Sequence, residues 1–107
     1  MRLLLALLVV ATLAACGPVQ STAALVDADV AVEAARAAGA KNSAVYEFTG
    51  AEAYLHQARE KSGYAQYEAA ISYARRATAL ATAAREKALA ASNRSAPRDE
   101  RPQETAP

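Results

Sequence analysis

Apolar side chains in the middle of the chain return every three or four positions. Leu25, Ala28, Val32 and Ala35 follow that spacing. So do Ala44, Phe48, Ala51, Leu55 and Ala58, and then Tyr67, Ala70, Ala74, Ala77, Ala81, Ala84, Ala88 and Ala91. Such steps put residues on one face of an α-helix, whereas a half-buried strand alternates in twos. The pattern predicts three helices, each with one narrow apolar face. The first opens near Ser21 or Thr22, where a hydroxyl can cap free backbone N–H groups, and closes at Gly39, which takes a left-handed conformation readily. Asp27, Asp29 and Glu33 in its earlier turns and Arg36 late complement the helix dipole. The second is expected to start at Asn42 or Ser43. A rival start is Thr49, with Glu52 completing a capping box, and Gly50 keeps the choice open. That helix ends with Arg59, Glu60 and Lys61, before Ser62 and Gly63. The third begins near Tyr64 and runs to Ala91, a length of about 40 Å at 1.5 Å per residue. Its alanine seam allows neighbouring helix axes to approach closely.

Both ends of the chain break this pattern. Residues 1–15 read as one positive charge, Arg2, followed by an unbroken apolar run from Leu3 and then small residues, which is the pattern of an export signal. A bilayer-spanning helix needs about 20 apolar residues, and this run meets Gly17, Pro18 and Gln20 before that length, so a permanent transmembrane segment is the weaker alternative. Residues 92–107 contain three prolines and no apolar period, and predict a solvated, disordered tail. Between them, residues 16–20 form a short tether and residues 21–91 the helical domain.

Composition narrows the fold further. Of 107 residues, 31 are Ala, against one Phe, one Met and no Trp, so the interior is thin and helix propensity is high. The fold class that follows is all-α, an antiparallel helical hairpin or three-helix bundle. Charge is divided along it. From Cys16 to Glu52, Asp27, Asp29, Glu33, Glu47 and Glu52 outnumber Arg36 and Lys41. From Ala53 to Asn93, Arg59, Lys61, Arg75, Arg76, Arg85 and Lys87 outnumber Glu60, Glu68 and Glu86. Halves of opposite sign can pack together, so the expected outcome is an internally matched domain and no nucleic-acid surface.

Leu13, Ala14, Ala15 and Cys16 together resemble the lipobox of bacterial lipoproteins, and Cys16 is the chain's only cysteine. The resemblance implies cleavage before Cys16, a thioether-linked diacylglycerol on its sulfur and, in many bacteria, a further acyl chain on its amine. More than one buried chain makes anchoring stable. A lone exported cysteine used for an intermolecular disulfide is the alternative. Gly17 is not the Asp that marks inner-membrane retention in enteric bacteria, which favours the outer membrane in a diderm host. The chain ends in Thr105, Ala106 and Pro107, unlike the Braun-type murein lipoprotein, whose terminal lysine joins peptidoglycan.

Residues 53–77, Ala-Tyr-Leu-His-Gln-Ala-Arg-Glu-Lys-Ser-Gly-Tyr-Ala-Gln-Tyr-Glu-Ala-Ala-Ile-Ser-Tyr-Ala-Arg-Arg-Ala, resemble an uncharacterised domain-of-unknown-function family of small α-helical lipoproteins. That family implies a fold and an address but no activity. Gly63, Tyr64, Tyr67, Ala70, Ile71, Tyr73 and Ala77 also resemble the helix-turn-helix of a tetratricopeptide repeat, although a single unit does not build a continuous repeat core.

Candidate chemistry is sparse. His56 is the only imidazole and reads as a solvated or packed side chain, and there is no phosphate loop and no base–nucleophile arrangement. The expectation is a non-enzymatic protein without cofactor or metal, anchored to a membrane through Cys16. Its expected partner is an envelope protein or peptidoglycan, for which it serves as an interaction or spacer module; the alternative role is a tetratricopeptide-like assembly helper. Five of six aromatics are tyrosines, which suit a thin core with a wet edge or a recognition surface. Tyr54, Tyr67 and Tyr73 are the candidate partner-binding residues.

Overall fold

The computed structural model describes residues 1–14 and 16–96, and every regular element among them is an α-helix: α1 (Arg2–Ala14), α2 (Cys16–Ala37), α3 (Ala40–Ser43), α4 (Val45–Gly63) and α5 (Tyr67–Ser95). The chain is therefore all-α. Ala15 and most of the predicted tail, residues 97–107, lie outside the described residues. Helix α1 touches only α2, while α5 packs along both α2 and α4, which touch each other less.

The three seams read from the spacing form one interior. Ala28, Val32 and Ala35 of α2, Phe48, Ala51, Leu55 and Ala58 of α4, and Ala74, Ala77, Ala81, Ala84 and Ala88 of α5 are buried together, with Leu25 partly buried at the edge. A methyl on most of these positions keeps the helices close, so much of the attraction is dispersion between backbones. The charge division appears at the rim. Arg59 pairs with Asp29 and Lys87 Nζ with Glu47 Oε1 at 3.1 Å, each joining an acid of the first half to a base of the second. Arg36 bonds both Glu33 and Glu52 and lies 5.6 Å from the Phe48 ring centroid, so its guanidinium covers the one phenylalanine. Those two carboxylates, Glu33 first, raise its pKa further above the ordinary arginine value.

Helix ends depart from the sequence expectation. Residues 16–20, expected to be a short tether ahead of the first helix, form the first turns of α2. Pro18 sits in the first turn, where a missing N–H costs no hydrogen bond, and a Cβ on Gly17 would stand 3.2 Å from Tyr67 Cδ2, so the start of α2 is held against α5. Ser21 does not cap; it is buried mid-helix and its Oγ donates to Ser62 Oγ at 3.3 Å, while the Thr22 hydroxyl donates back to the Pro18 carbonyl at 2.8 Å. Gly39 has φ +83°, as expected for the end of the first helix. Asn42 and Ser43 belong to the single turn α3, and α4 starts at Val45, leaving Thr49 and Gly50 inside it. Helix α4 continues through Ser62 and Gly63, and the turn is made by Tyr64, Ala65 and Gln66, with Ala65 at φ +58°. Helix α5 thus begins at Tyr67 instead of Tyr64, and it continues past Ala91 to Ser95, through four residues expected to be tail.

Candidate functional site

Two surfaces carry the residues of interest. The first is the N-terminal end. All thirteen residues of α1 are apolar or small except Arg2 and Thr12, and its large side chains, Leu13 included, are exposed. Cys16 opens α2 with its side chain exposed, and the Sγ comes no nearer than 4.0 Å to the Thr12 carbonyl. Of the other lipobox positions, Ala14 closes α1 and Ala15 lies outside the described residues. Taken as one stretch, Arg2–Ala37 contains an 18-residue window of mean hydropathy 2.2, none of it buried. An apolar N-terminal helix of this kind is compatible with an export signal or a membrane anchor.

The second surface is an open groove of about 640 Å³ between α4 and α5, lined by Val45, Tyr46, Thr49, Ala53, Tyr54 and Leu80. Its floor follows from Gly50: a Cβ there would stand 3.0 Å from Leu80 Cδ1, so the bare backbone lets Leu80 lie against α4. Tyr46 forms one wall and is 82% exposed. Tyr54 forms the end and is held from α5, with its ring 5.9 Å from that of Tyr73 at an interplanar angle of 27° and the Arg76 guanidinium 5.7 Å from its centroid. Stacking and cation–π attraction fix the ring, which is what a recognition surface requires of an anchor.

The structure brings together two of the three candidate tyrosines and separates the third. Tyr54 and Tyr73 stack across the α4–α5 contact, whereas Tyr67 packs at Gly17 on the α2 side. Val45, Tyr46 and Leu80 were not singled out by sequence. Tyr46, Thr49 or Gly50, and Ala53 do repeat at steps of three and four, a second stripe on α4 that the stronger Ala44–Phe48–Ala51 seam obscures. Near the groove, the Glu47 carboxyl is held below its ordinary value, mainly by a hydrogen bond from its own backbone N–H and then by Lys87. His56 is exposed, and among the described residues no three His, Cys, Asp or Glu side chains converge. The groove offers apolar contact area and tyrosine hydroxyls, which suits binding. Comparison of the chain with protein-family models, curated proteins and solved structures finds no match in any of the three.

Proposed function

We propose that the chain is a cell-envelope lipoprotein, exported by residues 1–15, anchored by acyl chains on Cys16 at the periplasmic face of the outer membrane, and acting without catalysis as an interaction module. Its helices form a three-helix bundle in which α5 is the central element, and the α4–α5 groove is the docking surface for an envelope protein. The observation that carries this reading is the groove itself. Apolar side chains of Val45, Tyr46 and Leu80 line it in a domain whose own interior is filled mostly by alanine. Val45 and Tyr46 are left exposed beside the half-buried Leu80, and apolar groups gathered so at the edge of a thin core favour a surface that a partner covers. The exposed Cys16, directly after an apolar helix that makes no contact with α4 or α5, supports the anchor.

The test places a photo-crosslinking residue at Thr49 in the full chain, expressed in a diderm bacterium and irradiated in intact cells. The expected result is one discrete protein adduct in the membrane fraction, reduced at least fivefold by Tyr46→Ala. A persistent adduct supports an interaction module, an adduct confined to newly made client supports the assembly helper, and absence of any adduct leaves the spacer role. Cys16→Ser should abolish acyl labelling and leave unprocessed precursor. Labelling that persists in that variant overturns the anchor.

A further inference from the structure

Helix α2 is apolar on two opposite sides. Ser21, Ala28, Val32 and Ala35 face the interior, yet Val19, Val26 and Val30 are exposed at 67%, 53% and 64%. With Cys16 and Ala23, these valines repeat at alternating steps of three and four, so Cys16, Val19, Ala23, Val26 and Val30 form one stripe down the outer face. A helix that packs on a protein through one face ordinarily carries polar residues on the other.

Accepting the Cys16 anchor, we propose that this outer stripe of α2 rests on the lipid surface beside the acyl chains, so that the helical domain lies along the membrane with the α4–α5 groove turned away from it. The stripe begins at the lipid attachment point and continues from it without a polar interruption as far as Val30. Affinity is supplied by the acyl chains, so the valines need only select an orientation. Charge permits it. Two of the three acids beside the stripe are paired with an arginine, Asp29 with Arg59 and Glu33 with Arg36, while Asp27 lines a separate depression between α2 and α5 that Arg75 also lines. Among the described residues, anionic headgroups therefore meet one unpaired carboxylate beside the stripe, Asp27, and no row of them. The groove shares no residue with α2 and is built by α4 and α5 alone, which sets it on the far side.

A second copy fits the stripe less well. The three valines expose on the order of 300 Å² per copy, and a pair would bury about 600 Å², below the roughly 1,000 Å² of a specific interface. The next position of the three-four repeat is Glu33, and a parallel pair would bring two of these like charges together.

The test uses the full acylated protein in vesicles of phosphatidylethanolamine and phosphatidylglycerol containing a nitroxide-labelled lipid. Because acylation occupies the Cys16 sulfur, Val26→Cys and Thr49→Cys each provide one thiol for an environment-sensitive fluorophore. The expected result is a blue-shifted emission at position 26, quenched at least threefold more than at position 49. Equal quenching at both positions, in protein whose acyl chains are confirmed by mass, overturns the proposal while leaving the anchor intact. A protein that carries no acyl chain and does not float with the vesicles removes the anchor, and the proposal with it. A disulfide-linked dimer through Val26→Cys in place of lipid quenching overturns it in favour of a second copy.

Discussion

Ala65 is the most informative single position for testing how this chain turns. It has φ +58° between α4 and α5, and the closure around it is complete: the Gln66 N–H reaches back to the Lys61 carbonyl at 2.9 Å and the Ala65 N–H to the Ser62 carbonyl at 3.0 Å. This is the left-handed C-terminal motif that normally uses glycine, here carrying a methyl. A side-chain-bearing residue in that region costs roughly 1–2 kcal/mol. Ala65→Gly removes the cost, but the unfolded chain gains freedom worth about 0.4–1 kcal/mol, which offsets part of the benefit. The net expectation is stabilisation by about 0.5–1 kcal/mol, a rise in melting temperature of roughly 2–8 °C for a domain of this size. Gly39 supplies the reciprocal change. It has φ +83° with no atom within 4 Å of a built Cβ, so Gly39→Ala introduces backbone strain without a steric clash and should lower the melting temperature by a similar amount. Thermal unfolding followed by circular dichroism reads both. A fall for Ala65→Gly, or a rise for Gly39→Ala, refutes the assignment of these residues as the left-handed closures of α4 and α2.

Two further outcomes follow from the packing and the rim. Ala77 is fully buried and Thr82 exposed on the same helix, so Ala77→Leu should cost about 1–3 kcal/mol by overpacking while Thr82→Leu changes stability little; equal melting temperatures would place the α5 seam wrongly. Glu47 has its folded pKa below the ordinary 4.5, through its backbone hydrogen bond and Lys87, so its contribution is present above pH 4.5 and is lost as pH falls through the folded value. Glu47→Gln should therefore flatten the acid limb of the stability–pH curve and leave a smaller difference at its lower end, and an unchanged acid limb would show that this carboxylate contributes nothing.

What was legible in the sequence was the interior. Phe48, Ala51, Leu55 and Ala58, and the α5 seam from Ala70 to Ala88, are buried as their spacing requires, because helical period and burial are linked by geometry alone. Helix ends were less legible, since each was decided by a contact distant in sequence. Ser21 has the chemistry of a cap, yet Ser62, forty-one residues on, provides its hydroxyl with a partner inside the helix pair. Gly63 has the chemistry of a turn, yet α4 continues through it and Ala65 takes the left-handed conformation. The candidate site was half legible for the same reason. Tyrosines on α4 and α5 are visible by type, but whether Tyr54 meets Tyr73 or Tyr67 depends on the relative rotation of two helices. Leu80, one large side chain among alanines, gains its role only from Gly50 opposite.

The distribution of large side chains ties the two proposed surfaces together. An interior of alanines seals helices at short distance but leaves little room: among the described residues Val32, Phe48 and Leu55 are the large side chains it buries, and the other valines and leucines lie partly or wholly outside. Isolated exposed apolar residues need no explanation. Here, however, those beyond α1 include Val19, Val26 and Val30 aligned on α2 and Val45 and Tyr46 on α4, the latter beside the partly buried Leu80 of α5, and the two sets share no helix. A single sticky face would make the domain a dimer or leave it prone to aggregation; two faces on different helices can be covered by different neighbours. With lipid beneath α2, the groove is carried about two helix diameters, roughly 20 Å, above the headgroups, a height set by helix packing distances and not by the length of the tail. In that arrangement the thin core has a mechanical consequence. Because α5 alone contacts both α2 and α4 extensively, any loosening of its alanine seam would uncouple the docking groove from the membrane-facing helix, so Ala77→Leu should weaken the Thr49 crosslink even though Ala77 lies in neither surface.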